Sequence, residues 1–282
     1  MNPLVFQTDF GLVDGAVSAM YGVAYSVEPE LKIHDLTHDI TPFNIWEASY
    51  RLIQTINYWP EGTVFVSVVD PGVGSDRKSV VVKTNSGRYI VTPDNGTLTH
   101  VIRLEGITAV REIDENINRL PRSGESYTFH GRDVYAFTGA RLAAGIIDFE
   151  GVGPELPVDS LVSLAIVEPY LDGNAACGTI DVLDVRFGSL WTNIPRTLFL
   201  ETGIKYGERV SITIENDIRC VYTGNFHKVA VLTQARCRKV VIIPDSGSDA
   251  EPAEVDGEVI GRAPVCMEVL EEQLNIITGN RG

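Results

Sequence analysis

Blocks of strand-like and helical hydrophobic periodicity alternate along the first half of the chain. The run LVFQTD at residues 4–9 is followed by a glycine-bearing turn, and apolar residues then recur at helical spacing up to Pro29. The run LKIHDL at 31–36 is again strand-like. Because a strand–helix–strand crossover joins parallel strands, the pattern predicts that the two strands pair in parallel.

A second helix, a buried strand and a hairpin are predicted next. Asn44 and Glu47 have capping-box spacing ahead of apolar residues at helical spacing, which predicts a helix at about 44–58. The run TVFVSVVD is almost continuously apolar, as expected of a strand covered on both faces. The runs SVVVKT and RYIVT, separated by the turn sequence NSG, predict a hairpin, and the apolar residues that follow His130 predict another helix.

The second half of the chain has a different pattern. Residues 146–162 carry Gly, Pro and acidic residues without clear periodicity, and they are the best linker candidate. Beyond them, short β-rich runs are separated by Gly, Asn, Asp and Pro. We therefore predict an α/β N-terminal domain at 1–160, with a mostly parallel sheet and flanking helices, a linker at 161–175, and a smaller all-β, barrel-like domain at 176–282.

Composition and charge narrow the range of partners. The 282 residues include 38 acidic and 23 basic side chains, and the formal net charge of −15 disfavours nucleic acids and anionic membranes as partners. The N-terminus lacks a basic region followed by an apolar one, and no apolar run approaches about 18 residues, so we expect a cytoplasmic location. The four cysteines have no short spacing and are expected to be reduced thiols.

The loop VDPGVGSDRKS at 69–79 superficially resembles a phosphate-binding loop. A Walker A loop needs a glycine where Arg77 stands and a helix after it, whereas SVVVKT is strand-like, so we reject that interpretation. Asp70 ends a buried strand, and Asp9 ends the first strand in the same way. Since ligands of open α/β sheets bind beyond the carboxyl ends of the strands, the two carboxylates predict a small-molecule site. The alternative is a glycine-rich turn whose Asp and Arg form a surface ion pair of little energetic consequence.

The stretch HDLTHD contains two histidines and two aspartates, which are possible metal ligands. His34 and His38 are four residues apart on a strand and turn, where they do not share a face as they would on a helix. We therefore predict no metal site there.

Six blocks of sequence resemble one known family. They are TDFGLVDGAV, ITPFNIWEA, VVDPGVGSDRKS, TPDNGTL, TFHGRDVYA and DVRFGSLWTNI, in this order between residue 4 and about residue 195. These blocks are similar to those of the adenosine-forming S-adenosylmethionine (SAM) hydrolases, also called SAM hydroxide adenosyltransferases, which are related to the SAM-dependent fluorinase and chlorinase. The resemblance implies attack of water or hydroxide on the 5′ carbon of SAM, which gives adenosine and methionine without a metal or added cofactor. It also implies a homotrimer, with SAM bound between one subunit's N-terminal domain and its neighbour's C-terminal domain.

The resemblance implies roles for ten residues. The catalytic set that places and activates the water is Asp70, Arg77 and His130. The substrate-binding set is Asp9 at the ribose hydroxyls, Phe43 against the ribose and sulfonium region, Asp184 and Asp14 at the amino-acid end, Phe187 and Trp191 packed on the ligand, and Ser189 where the family usually has an asparagine that contacts the adenine.

The residue types fit this chemistry. Methionine leaves as a neutral thioether, so the leaving group needs no acid, and the enzyme's task is to present an aligned water molecule. A carboxylate beside an arginine stays ionised and can orient the water or accept its proton, which His130 can pass on. A halide-using relative has an uncharged residue in place of Asp70, so the acidic residue favours hydroxide over halide.

The tail from about residue 226 departs from the family. Its sequence does not resemble the turn, strand and loop that normally help to hold the adenine. One explanation is a reading-frame change, because RKVVIIPDSGSDA can be back-translated with codons that give GKSLLYQTAGLM one nucleotide later. Two other functions therefore stay open: a non-catalytic SAM or adenosine binder with an altered pocket, and a SAM-dependent halogenase, against which Asp70 argues.

Overall fold

The computed structural model describes residues 1–123, 129–184 and 189–203, together with short strands between 221 and 268. By its internal contacts the chain divides into two compact units, Met1–Glu208 with Tyr222–Leu232, and Arg209–Val221 with Thr233–Gly282. Among the described residues, none of the helices combines the length and the apolar character that a membrane crossing requires. The predicted boundaries of domains and linker stay predictions.

A seven-stranded mixed sheet forms the centre of the first unit. Its strands are β1 (Leu4–Thr8), β2 (Ile33–Thr37), β3 (Val64–Val68), β4 (Ser79–Thr84), β5 (Tyr89–Pro93), β6 (Ile107–Glu112) and β7 (Glu155–Leu156), in the spatial order β2-β1-β3-β5-β4-β6-β7. Strand β1 pairs in parallel with β2 and β3, and β3 pairs in parallel with β5. The remaining pairs are antiparallel. The predicted parallel unit and the β4–β5 hairpin are both confirmed.

Helices flank this sheet. They are α1 (Ala16–Val27), α2 (Ile45–Ile56), α3 (Thr99–Leu104) and α4 (Phe137–Ala144), and a π-helical turn at Gly131–Ala136 leads directly into α4. The predicted capping of α2 is confirmed, because the Asn44 side chain accepts a hydrogen bond from the Glu47 main-chain N–H at 3.0 Å. All five residues of β1 and of β3 are buried. For β3 this agrees with the prediction, from its apolar run, of a strand covered on both faces.

The stretch at 146–162, the best linker candidate by sequence, is packed against the sheet. Phe149, Val152 and Leu161 are buried, and β7 pairs with β6 at the edge of the sheet. Gly153 has φ 151°, and a side chain there would collide with the Glu112 carbonyl oxygen. The glycines and prolines therefore mark tight turns that hold the segment against the sheet, and composition alone cannot show that such turns are packed.

Short hairpins follow the sheet. Strand β8 (Tyr170–Asp172) pairs with β9 (Ala175–Cys177), and β10 (Ile180–Asp184) pairs with β11 (Ser189–Thr192). One short helix, α5 (Arg196–Glu201), begins after Pro195 inside the range predicted to be all-β. The further described strands are β12 (Val221–Tyr222), β13 (Leu232–Thr233), β14 (Lys239–Ile242), β15 (Pro252–Val255), β16 (Glu258–Arg262) and β17 (Val265–Glu268). In this part β14 pairs with β17 and β15 with β16, both antiparallel.

Candidate active site

A cavity lies beyond the carboxyl ends of β1 and β3, where the sequence predicts a site. Its volume is about 630 Å³, within the range of small-molecule pockets. The lining includes the polar side chains of Asp9, Asp14, Asp70 and His130, and the aromatic side chains of Phe10, Phe43 and Phe129. Five of the ten predicted site residues therefore share one cavity.

Asp70 and Arg77 form a buried ion pair at the ends of the loop between β3 and β4. Arg77 Nε donates to Asp70 Oδ1 at 2.7 Å, and Arg77 Nη2 donates to Asp70 Oδ2. The Arg77 side chain is 10% exposed and the Asp70 side chain 6% exposed. Gly74 has φ 78°, a left-handed conformation that lets the loop fold back and bring its two ends together. The surface ion-pair alternative is therefore wrong, because a bidentate and buried pair is rigid and desolvated.

His130 lies directly beside this ion pair. Its Nδ1 is 3.3 Å from Arg77 Nη2, its Nε2 is 3.1 Å from Arg119 Nη2, and the residue is 7% exposed. Burial lowers the pKa of His130, and the positive charge of Arg77 lowers it further. The imidazole is therefore neutral near pH 7 and has one nitrogen able to accept a proton.

Ser79 and Tyr135, which the sequence did not indicate as site residues, form contacts with Arg77 and with each other. Arg77 Nη1 donates to Ser79 Oγ at 3.0 Å, and Ser79 Oγ is 2.9 Å from the Tyr135 hydroxyl. The guanidinium carbon of Arg77 also lies 5.6 Å from the centre of the Tyr135 ring. Tyr135 is fully buried, and burial raises the pKa of its hydroxyl, which therefore stays protonated. Tyr135 lies in the apolar run that follows His130, and this pattern does not predict its contacts with Ser79 and Arg77.

Asp9 and Phe43 also line the cavity and contact each other. Asp9 Oδ2 accepts a hydrogen bond from the Phe43 main-chain N–H at 2.7 Å. Phe43 has φ 65°, a left-handed conformation that is rare for a bulky residue, and its side chain remains 49% exposed at the cavity. Burial raises the pKa of Asp9, and the bond from Phe43 offsets part of that increase. A strained aromatic residue is thus held at the cavity by the carboxylate that ends β1.

Residues 4–153 match the family model described as the SAM hydroxide adenosyltransferase N-terminal domain. The chain belongs to the SAM hydroxide adenosyltransferase family. The family that the sequence blocks indicated is therefore confirmed.

Relatives within and beside this family cover most of the chain. The (R)-S-adenosyl-L-methionine hydrolase of Methanocaldococcus jannaschii is 36% identical over 237 residues, which are 80% of this chain and 81% of the relative. A fluorinase of an Actinoplanes species is 31% identical over 238 residues, 76% of this chain and 79% of the relative. The crystal structure of an uncharacterized conserved protein from Thermotoga maritima has a TM-score of 0.66 and 36% identity, and it covers 73% of this chain and 76% of its own.

Asp14 of this SAM hydroxide adenosyltransferase family member has a structural contact as well as a place in the cavity. Its Oδ1 accepts a hydrogen bond from the main-chain N–H of Ala16, the first residue of α1, at 2.8 Å. One carboxylate oxygen is thus used in folding, while the side chain still lines the cavity.

The remaining predicted binding residues of this family member lie on or next to the β10–β11 hairpin. Ser189 and Trp191 are exposed on β11, and the Trp191 ring is 6.2 Å from that of Tyr50 on α2. Neither residue lines the cavity described above. Asp184 pairs with Ser189 in the hairpin, but its side chain and the whole of Phe187 lie outside the described residues. The binding roles of these four residues stay predictions.

The two histidines of HDLTHD lie in separate surroundings. His38 bonds through Nδ1 to Thr8 Oγ1 at 2.8 Å and through Nε2 to Asp35 at 3.0 Å. The His34 ring packs against Trp59, with 5.2 Å between the ring centres. Within the described ranges, no three His, Cys, Asp or Glu side chains gather as a metal site would require.

Proposed function

We propose that this protein hydrolyses S-adenosyl-L-methionine to adenosine and L-methionine. The observation that carries the proposal is the buried Asp70–Arg77–His130 cluster, which contacts the cavity at the carboxyl ends of β1 and β3. Membership of the SAM hydroxide adenosyltransferase family and the similarity to proteins named (R)-S-adenosyl-L-methionine hydrolase support it.

The reaction is a displacement at the ribose 5′ carbon. A bond forms between the oxygen of water or hydroxide and C5′ while the C5′–S bond breaks, and the electron pair goes to the sulfur of methionine. The positive charge of the sulfonium is neutralised as the thioether leaves, so no acid is needed. The proton lost by the water passes to the cluster and then to solvent.

The cluster presents the water in line with the C5′–S bond. Arg77 holds the Asp70 carboxylate in one orientation through two hydrogen bonds, so that Asp70 can accept a hydrogen bond or a proton from the water. His130 is neutral and adjacent, and it is the next group that can carry the proton. Positioned acid–base groups contribute ~100- to 10,000-fold, and alignment of the reactants contributes more.

The substrate is held by carboxylates and aromatic rings. We place Asp9 at the two ribose hydroxyls and Phe43 against the ribose and sulfonium. Asp14 and Asp184 serve the amino-acid end of SAM, while Phe187, Ser189 and Trp191 pack around the ligand. Carboxylates around the site also suit a substrate with a positive sulfonium centre.

The same proposal includes a homotrimer with an all-β C-terminal domain, a cytoplasmic location, and a reaction that uses no metal or added cofactor. In the trimer the neighbouring subunit completes each site. Apolar side chains between the cavity-lining Phe10 and Asp14 support the trimer, since Leu12 is 71% exposed and Val13 is fully exposed. Light scattering on the purified protein measures the assembly: we expect three times 30.9 kDa, and a monomeric mass would overturn it.

The activity is tested by incubating the protein with SAM and separating the products by chromatography, with and without chloride or fluoride. We expect adenosine and methionine in equal amounts and no dependence on halide, because the negative charge of Asp70 opposes an incoming anion. Tightly bound SAM or adenosine without turnover would instead show a binding protein. A 5′-halogenated adenosine would show a halogenase, and either result would overturn the proposal.

A further inference from the structure

Both ring nitrogens of His130 face guanidinium groups. Nδ1 lies 3.3 Å from Arg77 Nη2, and Nε2 lies 3.1 Å from Arg119 Nη2. A guanidinium can only donate hydrogen bonds, a neutral imidazole has one nitrogen that can accept, and a protonated imidazolium has none. Protonation of the ring would therefore remove the one hydrogen bond that it can accept from these arginines and place three positive charges together.

Arg119 is held in this position by Glu115, four residues earlier. Arg119 Nε and Nη2 both donate to Glu115 Oε2, at 3.0 and 2.7 Å. The Arg119 side chain is 10% exposed and the Glu115 side chain 36% exposed. Charge-assisted bonds in a partly buried setting fix the orientation of a guanidinium. Both residues lie outside the six sequence blocks that resemble the family.

We propose that Arg119, held by Glu115, is a positioning residue that keeps His130 neutral and oriented for the reaction. This inference rests on the proposed hydrolysis of SAM, in which a neutral His130 carries the proton that the water loses. Arg119 acts through His130, and it does not itself line the cavity.

The charged groups around His130 come from two parts of the chain, the loop between β3 and β4 and the segment after β6, and they act in opposite directions. Arg77 and Arg119 lower the pKa of the imidazole in addition to burial, whereas Glu115 and Asp70 raise it. Loss of the Arg119 charge alone should therefore raise the pKa of His130. Loss of the Glu115 charge alone should lower it, so the two members of one ion pair are expected to shift the same group in opposite directions.

The charge state of His130 is measured on the intact protein without substrate, by a pH titration of the histidine Cε1 resonances in NMR. The His130→Gln variant assigns the His130 resonance. We expect the His130 inflection to move to higher pH in Arg119→Gln and to lower pH in Glu115→Gln. Arg119→Lys should keep it near the native position. Arg103→Gln, which breaks a distant ion pair with Glu168, is the matched control and should leave it unchanged. Unchanged inflections in both Arg119→Gln and Glu115→Gln, or shifts in the same direction, would overturn the inference.

Turnover of SAM as a function of pH gives the second measurement. In Arg119→Gln we expect a loss confined to the acidic side, of at most ~100-fold, with recovery at alkaline pH and in Arg119→Lys. A loss of turnover that is equal at every pH, and that is also found in Arg119→Lys, would show that Arg119 has only a structural role. If neither the native protein nor any variant turns over SAM, the proposed hydrolysis fails. If the NMR shifts still follow the expected directions in that case, the effect of Arg119 and Glu115 on the charge of His130 stands.

Discussion

Two carboxylates end adjacent parallel strands at the same edge of the sheet, and they differ in what holds them. Asp70, after β3, receives two hydrogen bonds from Arg77 in a buried pair. Asp9, after β1, receives a main-chain N–H from Phe43 and has a pKa raised by burial. A guanidinium fixes both oxygens of Asp70, whereas the main-chain bond to Asp9 leaves acceptor capacity for hydroxyl groups.

This difference separates two tasks at one cavity. In the proposed reaction, Asp70 is the rigid charged group that positions the nucleophile, and Asp9 exchanges a hydrogen bond with water for one with the substrate. Changes at Asp70 and His130 should therefore reduce turnover, and changes at Asp9 and Phe43 should mainly reduce affinity.

The largest effect is expected from Asp70→Asn. The amide keeps the shape of the side chain but loses the negative charge, so turnover should fall by ~100- to 10,000-fold while SAM binding changes little. Turnover and binding are measured by product chromatography and calorimetry. Asp76→Asn is the matched control, because Asp76 is exposed in the same loop, and it should behave like the native protein. A folded Asp70→Asn variant with near-native turnover would remove Asp70 from the reaction.

His130→Gln should have the next largest effect. The amide can still donate and accept hydrogen bonds but cannot carry a proton near neutral pH, so turnover should fall by ~100-fold or more. The native enzyme should lose activity as the pH falls through the lowered pKa of His130, because protonation removes its only acceptor. Steady-state rates across the pH range test both points. An acidic limb that persists unchanged in His130→Gln would assign that limb to another group.

Asp9→Asn should weaken substrate binding by ~10- to 100-fold with a smaller change in kcat, because hydrogen bonds to a charged group contribute ~1.5–3 kcal/mol. The pKa of Asp9 is raised above its ordinary value of 3.8, so the carboxylate is protonated, and KM rises, at a higher pH than for an exposed aspartate. KM for SAM across the acidic range should therefore rise as the pH falls in the native enzyme and stay flat in Asp9→Asn. A kcat loss as large as that of Asp70→Asn would erase the distinction between the two carboxylates.

The smallest effect is expected at Phe43. Asparagine tolerates the left-handed conformation at φ 65° and keeps the N–H that Asp9 accepts, so Phe43→Asn should raise the free energy of unfolding by up to ~1 kcal/mol. It should also raise KM, because the exposed ring at the cavity is lost. Phe43→Leu is the control, since it keeps an apolar side chain and the backbone strain. Denaturant unfolding compares the two, and a Phe43→Asn variant less stable than Phe43→Leu would show that the conformation costs little.

Local sequence signals predicted much of the fold. The cap of α2 at Asn44, the buried run of β3 and the β4–β5 hairpin each depend on neighbouring residues, and all three are present. The segment at 146–162 has the composition of a linker, but its packing could not be predicted, because composition indicates turns and not burial.

The site residues also divide into those that the sequence indicated and those that it did not. Strand-end position indicated Asp9 and Asp70, and the family blocks indicated Arg77 and His130. No sequence signal indicated the contacts of Arg119 with His130 or of Tyr135 with Ser79, whose partners are 11 and 56 residues apart along the chain. Such contacts depend on how strands and helices pack, and no periodicity or short motif encodes them.

The central claim is that the oxygen of water becomes bonded to the 5′ carbon of the substrate. A reaction with SAM in ¹⁸O-labelled water, followed by mass spectrometry of the adenosine, tests this directly. We expect one ¹⁸O atom in the 5′-hydroxyl of adenosine and none in methionine. Adenosine without the label, or no adenosine from a folded protein that binds SAM, would contradict it.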